Sequence, residues 1–292
     1  MSKILISGAA GQLGQRVIHH LLNTYNVPAS NVIAATRSPE KLKSLVEKGV
    51  EVRKADFNEP DALPAAFTGA DRLLIISTDA IDTPGKRLIQ HTAAVNAAVK
   101  AGVKHIAYTS MPSPDKSLIT FAHEHLGSEN AVKTSGLSYT IFRDAWYIDN
   151  YLHFIPHNLS TGKWAVATGQ GKVANISRED CALAIAASLA ANSPGNNIYT
   201  LTGPQLLTAE EIASIISDVA NKPYAAVQVT DAQLTDGLVG AGLPKILAEM
   251  LVSSDANTRE GNFSQLTDDF KKLTGKEPQS LQSFFKEHKA AL

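Results

Sequence analysis

The chain has 292 residues, 27 lysines and arginines against 28 aspartates and glutamates, and one cysteine. Its length suits a nucleotide-binding α/β body with a smaller appended lobe. Near-neutral charge, with no basic stripe or acidic tail, speaks against nucleic acid or an anionic membrane as main partner, and the lone Cys181 excludes an intramolecular disulfide or a cysteine-built metal site.

The chain enters the strand-like run KILIS (3–7) without a charged leader and apolar signal core, and no apolar run approaches membrane-spanning length. A cytoplasmic protein without a membrane span is expected. Further β-rich runs follow at NVIAAT (31–36), VEVRKA (50–55), RLLIIS (72–77), HIAYTS (105–110) and SYTIF (138–142). Between them apolar residues recur every three or four positions, as in Leu13, Val17 and Leu21, then Leu42, Leu45 and Val46. This alternation predicts an α/β fold with a doubly wound parallel sheet covered on both faces.

Near residue 145 the alternation stops and aromatic residues cluster: Trp146, Tyr147, Tyr151, Phe154 and Trp164. A helix is expected from SRED, where Ser177 caps and Asp180 sits three residues on, running to Pro194-Gly195. NIYTLTG then reads as one more strand, and Thr208 with Glu211 forms a capping box for an amphipathic helix. The remainder reads as helix and turn, closing on Leu281, Phe284 and Phe285. The expected division is 1–150 as the nucleotide-binding domain, to which a later segment returns, and 151–292 as the smaller domain.

The loop SGAAGQLG follows the first strand and opens a helix. A phosphate approaches a backbone closely only where no Cβ intervenes, and a helix start offers unpaired N–H groups. Gly8, Ala9, Ala10, Gly11, Gln12, Leu13 and Gly14 therefore form the candidate phosphate site, although the spacing is G-x-x-G-x-x-G and not the usual G-x-G-x-x-G. The second strand ends AATRSPEK, with Arg37 where NAD sites carry an acid. Arg37 and a helix start capped at Ser38 with Pro39 in its first position would grip a 2′-phosphate together, which selects NADPH; the alternative is a solvated surface arginine. Asp56 and Phe57 are candidates for the adenine, and Ser77, Thr78, Thr109 and Ser110 project from carboxyl ends of strands, where ligands of such sheets bind.

Together SGAAGQLG, the Thr36-Arg37 pair, GVKHIAYTS and SGLSYTIFRDAWYIDNYL resemble the atypical short-chain dehydrogenase/reductases of the NmrA-like group. Within that group the likeness is to the type 2 NAD(P)H:quinone oxidoreductases, with the triphenylmethane reductases near them. The resemblance spans essentially the whole chain. It implies a Rossmann-type sheet with a smaller C-terminal α/β domain, NADPH as cofactor, Arg143 and Asp144 at its nicotinamide end, and hydride transfer to a quinone-like small molecule. Asp144 stands where that group typically has asparagine.

Ordinary short-chain dehydrogenases carry a tyrosine four residues before a lysine as proton shuttle. Here FAHEHLGSENAVKTSG has no tyrosine; Glu129 stands four residues before Lys133, which predicts a surface i,i+4 ion pair. No catalytic residue is therefore assigned. Hydride addition to a ketone gives an alkoxide that needs an acid, whereas a quinone gives a stabilised phenolate that water protonates. Catalysis would rest on positioning cofactor and acceptor.

Trp146, Tyr147 and Asn150 are the candidate acceptor wall, with core packing as the alternative. His123-Glu124-His125 cannot hold one metal ion, because residues two apart on a helix point about 200° from each other. His125 is instead assigned to the acceptor side. Gly169-Gln170-Gly171-Lys172 reads either as a closing loop over a ligand or as an exposed turn. The reading is an NADPH-dependent quinone reductase, without nucleic acid, and a homodimer is compatible with it. Its rival is a redox sensor of the same group that binds NADP(H) and a protein partner without chemistry; an isomerase ranks lower for want of the acid-base pair.

Overall fold

The computed structural model describes residues 2–191 and 195–292. Nine strands occur among them: β1 Ile4–Ile6, β2 Val32–Thr36, β3 Glu51–Lys54, β4 Arg72–Ile75, β5 His105–Ser110, β6 Ser138–Asp144, β7 Lys163–Val166, β8 Asn197–Leu201 and β9 Ala225–Gln228. The helices are α1 Gln12–Asn23, α2 Lys43–Glu47, α3 Leu63–Phe67, α4 Lys86–Lys100, α5 Ala122–Lys133, α6 Ile155–Thr161, α7 Arg178–Ala191, α8 Ala209–Ala220, α9 Asp231–Gly240, α10 Lys245–Arg259, α11 Asp269–Thr274 and α12 Leu281–Glu287.

Seven strands form one sheet in the order β3-β2-β1-β4-β5-β6-β8, with β1–β2, β1–β4, β2–β3, β4–β5 and β5–β6 all parallel. The order steps outward in both directions from β1, the doubly wound Rossmann-type arrangement. Central strands are buried along their whole length, as β1, β2 and β4 are, because helices cover both faces. β3, at the edge, reads Glu-Val-Arg-Lys and is half exposed, and its charges discourage pairing with a further strand. A core of Leu5, Ile33, Leu63, Phe67, Leu73, Ile106 and Tyr108 lies on one face of the sheet.

The chain divides into two compact units, the first of Met1–Met111, Glu124–Arg143 and Cys181–Tyr199, the second of Pro112–His123, Asp144–Asp180 and Thr200–Leu292. In the first, α7 is apolar on nearly every side and buried from Cys181 to Ala187. Its Leu183 carbonyl accepts from the Tyr25 hydroxyl at 3.5 Å, and its Leu189 carbonyl accepts from Arg72.

Ser177 caps α7 as expected, accepting from Asp180 N–H at 3.0 Å, and α8 opens on the reciprocal capping box of Thr208 and Glu211. Pro194, expected to stop α7, lies outside the described residues. The second unit holds a feature the sequence reading lacked: β7 pairs in parallel with β9 as a separate two-stranded sheet. Both strands are short and mostly exposed, so neither shows a continuous apolar run. No described helix is long and apolar enough to cross a membrane.

Candidate functional site

In the first unit β1 delivers the chain into the glycine loop. Gly8 adopts φ +64°, a conformation that favours glycine, and its carbonyl accepts from Gly11 N–H at 2.9 Å. Ala9 N–H donates to the Ala35 carbonyl of β2 at 3.1 Å, tying the loop to the neighbouring strand. A Cβ on Gly14 would sit 2.4 Å from the Gly8 carbonyl oxygen, so the first turn of α1 packs on the loop only with glycine there. Gly11 is the N-cap residue of α1, with no side-chain cap and no acid in the first turn. Gly8, Gly11 and Gln12 are exposed, Ala10 is half exposed, and Ala9 and Leu13 are buried. This arrangement fits a dinucleotide: a backbone cradle without Cβ atoms, on a helix start that no carboxylate competes for.

Arg37 leaves β2 into solvent, its side chain 62% exposed and 4.0 Å from Asp79. The helix start expected beside it is different. Ser38 makes no side-chain cap, and Pro39–Leu42 is a short 3-10 turn, with α2 beginning only at Lys43. Proline removes one amide and Leu42 sits at φ −110°, off the helical path, so Arg37 has no α-helix N-terminus as companion. The turn is instead made by Thr36, whose Oγ1 accepts from Ser38 N–H at 3.2 Å. Asp56 Oδ1 accepts from both the backbone and side-chain N–H of Asn58, at 2.9 Å each, and Phe57 packs half-buried against the sheet core.

At the ends of β4 and β5, Ser77 N–H donates to Thr109 Oγ1 at 2.9 Å, and Thr109 Oγ1 donates to Ser77 Oγ at 3.3 Å. Thr78 Oγ1 donates to Gln90 at 2.6 Å, and Gln90 donates in turn to Asn58 at 3.0 Å, which links the segments after β3 and β4. Beside them Ser110, Glu129, Lys133 and Arg143 form one cluster. The Glu129 carboxylate is fully buried; it accepts from Arg143 through Nε at 2.8 Å and Nη2 at 2.7 Å, from Lys133 Nζ at 2.9 Å and from Ser110 Oγ at 2.8 Å. The i,i+4 pair is therefore present but not a surface pair. Burial pushes the Glu129 carboxyl up, yet the hydrogen bonds from Arg143, Lys133 and Ser110 together outweigh burial and hold it below the usual carboxylate range. One buried anion between two cations leaves a single net positive charge at the carboxyl ends of β5 and β6.

His125 does not belong to an acceptor wall. It is 5% exposed, and both ring nitrogens are engaged, Nε2 by Arg87 at 2.9 Å and Nδ1 by the Tyr108 hydroxyl at 2.9 Å. Arg87, Gln90 and His91, the buried polar residues of α4, were the functional-looking feature most easily missed. Their signal is the spacing i, i+3, i+4 on one helical face, inverted relative to an ordinary amphipathic helix, since Ile89 is 72% exposed.

In the second unit the Asp144 carboxylate is 7% exposed and accepts from the Tyr147 hydroxyl at 2.8 Å. The Tyr147 ring lies under the Arg178 guanidinium, 4.6 Å from ring centre to carbon. Arg178 also donates to Asn150 Oδ1 at 2.6 Å and faces Asp149 at 3.6 Å. Trp146 packs against Phe263 at 6.2 Å between ring centres. A Cβ on Gly171 would sit 2.1 Å from the Thr258 carbonyl oxygen, so the 169–172 turn is built onto the end of α10.

The chain matches the NmrA-like family over residues 1–285. It is 37% identical over 272 residues to quinone oxidoreductase 2 of Escherichia coli, covering 93% of each chain. Among solved structures it is similar to the Citrobacter triphenylmethane reductase complexed with NADP(H), with TM-score 0.90 and 35% identity over 98% of this chain and 100% of that one. It is equally similar to an NADPH-dependent quinone oxidoreductase from Escherichia coli complexed with NADPH, with TM-score 0.91 and 35% identity over 98% and 99% of the two chains. Family match and near-complete coverage agree with the doubly wound sheet and its glycine loop, and this chain belongs to the NmrA-like family.

Proposed function

We propose that this protein is an NADPH-dependent reductase that transfers hydride to quinones or similarly flat, conjugated acceptors. Two neighbours at 35% identity over nearly the whole chain, a triphenylmethane reductase and a quinone oxidoreductase, are complexed with NADP(H), whereas a neighbour named as a negative transcriptional regulator is only 17% identical, which favours a reductase over a partner-binding sensor. The first unit is the NADPH-binding part. Gly8, Ala9, Ala10, Gly11, Gln12, Leu13 and Gly14 would hold the pyrophosphate and Arg37 the 2′-phosphate. Asp56 and Phe57 would hold the adenine end, and Ser77, Thr78, Thr109, Ser110 and Arg143 the nicotinamide end. Trp146, Tyr147 and Asn150, held by Phe263, Asp144 and Arg178, would present a flat wall to the acceptor.

The observation that carries the reaction type is Glu129. It occupies the place of the dyad tyrosine, four residues before Lys133, and is locked there as an anion by Arg143, Lys133 and Ser110. A carboxylate so held gives no proton to an alkoxide, so ketone reduction lacks its acid. NADPH supplies the hydride when bound. The oxyanion formed on a quinone is delocalised and takes its proton from water, so the protein's tasks are to orient both rings and to offset the new charge. The net positive charge of the Glu129 cluster serves the second task. A cytoplasmic protein acting on a small molecule and not on nucleic acid completes the proposal; its support is the near-neutral charge and single cysteine, and light scattering tests whether it is a homodimer.

Stopped-flow traces of NADPH and NADH oxidation with benzoquinone and menadione, without added flavin, test the reading. Faster NADPH oxidation is expected. Tight NADPH binding with no turnover on any quinone or dye would sink it.

A further inference from the structure

The His-Glu-His sequence and the inverted face of α4 stand outside the chemistry above, yet they converge on one short segment. β4 ends at Ile75, and the next backbone N–H groups are taken up by side chains instead of a neighbouring strand. Ile76 N–H donates to Ser7 Oγ at 3.1 Å, Ser77 N–H to Thr109 Oγ1 at 2.9 Å and Thr78 N–H to His91 Nε2 at 2.9 Å. The Thr78 carbonyl accepts from Arg87 Nε at 2.8 Å.

From Thr78 the bonds close into a ring through Ser128, which is hydrogen-bonded to both the Tyr108 hydroxyl and His91 Nδ1. Arg87 Nη2 donates to His125 Nε2 at 2.9 Å, His125 Nδ1 meets the Tyr108 hydroxyl at 2.9 Å, and that hydroxyl lies 3.3 Å from His91 Nδ1. All four side chains are buried, at 3% for Arg87, 1% for His91, 0% for Tyr108 and 5% for His125. The protons follow from the donors. Thr78 N–H and the Arg87 guanidinium only donate, so Nε2 of each imidazole accepts and each ring is neutral with its proton on Nδ1. His91 Nδ1 passes that proton toward Ser128 Oγ at 2.8 Å, and Ser128 donates to the Glu124 carbonyl at 2.6 Å. The Glu124 carboxylate accepts from Gly85 N–H at 3.2 Å and Leu88 N–H at 3.3 Å, closing the first turn of α4. Glu124 and His125 thus tie α5 to α4, and α4 carries the two side chains that grip Thr78.

We infer that Arg87, His91, Tyr108 and His125 are positioning residues for the cofactor, setting the place of Ser77 and Thr78 without touching it. The inference rests on the reading that Ser77 and Thr78 line the dinucleotide site. What singles the ring out is where it ends: one acceptor and one donor, delivered to the N–H and the C=O of the same residue, at a carboxyl edge beside the glycine loop. Gly8 and Ile76 meet there, with the Cβ position of Gly8 3.5 Å from Ile76.

The test compares wild type, His91→Leu, His91→Gln and Tyr108→Phe by NADPH fluorescence titration and by steady-state kinetics with menadione at neutral pH. His91→Leu removes the acceptor for Thr78 N–H; NADPH affinity is expected to fall about tenfold, and KM for NADPH to rise likewise, while kcat at saturating cofactor stays within about threefold. His91→Gln, whose Oε1 accepts the same bond, restores affinity to within about threefold of wild type. Wild-type affinity in His91→Leu, or equal weakening in the Leu and Gln variants, overturns the inference. Should His91→Leu fail to fold, Tyr108→Phe decides: it deletes one hydroxyl from the ring, and NADPH affinity lower by about threefold supports the inference, whereas unchanged affinity overturns it. A wild-type protein that does not bind NADPH overturns the underlying reading instead, a separate result.

Discussion

Replacing Glu129 by glutamine removes the one negative charge from a place that holds two positive ones. Arg143 and Lys133 then face each other with their buried partner neutral, and breaking such a pair costs about 3–5 kcal/mol. Glu129→Gln should lower the thermal midpoint, measured by calorimetry. Arg37 makes the contrasting case, exposed and weakly held. Arg37→Glu is expected to leave the midpoint unchanged and to weaken NADPH about tenfold or more while sparing NADH, since it sets two negative charges together. Equal loss of both cofactors removes the 2′-phosphate argument. At this scale the sequence showed the Glu129 and Lys133 spacing, which is local, but not Arg143 or Ser110, which arrive from other strands. The burial that turns a surface pair into a locked anion is a property of the sheet edge and has no local signature.

The strands of the large sheet were legible because central strands buried on both faces are written as unbroken apolar runs, as in Ile4-Leu5-Ile6. β7 and β9 were not, because a two-stranded sheet with mixed exposure imposes no such run. Caps divided along the same line. Thr208 and Glu211 are three residues apart and could be read directly, whereas α4 receives its cap from Glu124 on another helix. Glu124→Ala should therefore cost about 1–2 kcal/mol, as the loss of a local cap would, with α4 amides exchanging faster in hydrogen-deuterium measurements. Thr208→Ala should cost a similar amount without that exchange signature in α4.

Across the whole molecule the buried titratable groups of the two units respond to acid in opposite senses. In the first unit, burial and the Arg87 charge lower His91 from 6.5 to about 3 and hold His125 well below its ordinary value. Their contribution is complete above pH 6.5 and is lost as pH falls toward 3; for His91 alone it amounts to roughly 3 kcal/mol by pH 4. Glu129, also held low, acts in the same direction. In the second unit Asp255 is raised from 3.8 to about 6, by burial first, although Ala167 N–H and Arg259 oppose the shift. Its folded form prefers the proton, so its contribution is complete below about pH 4 and is lost as pH rises through 6, at most about 3 kcal/mol. Calorimetry should accordingly resolve two transitions at pH 5, the first unit melting earlier, and draw them together at pH 8. Asp255→Asn should weaken the pH dependence of the later transition and leave the part that comes from Asp180, which burial also raises, and an unaltered profile would count against that assignment.

The segment Cys181–Tyr199 belongs to the first unit, although most of the second unit's α6 and β7 region precedes it in the chain. Synthesis on the ribosome runs from the N-terminus, and domains ordinarily fold as they emerge. Here the glycine loop, the Thr78 ring and the Glu129 cluster are all made by residue 143, but α7, which fastens to Tyr25 and Arg72, and β8, which covers the β6 edge, appear some fifty residues later. A nascent chain must hold an uncovered sheet edge through that interval. Chains stalled at residue 150 should engage chaperones and resist release as folded protein, whereas chains that have cleared residue 199 should become protease-resistant in their first unit.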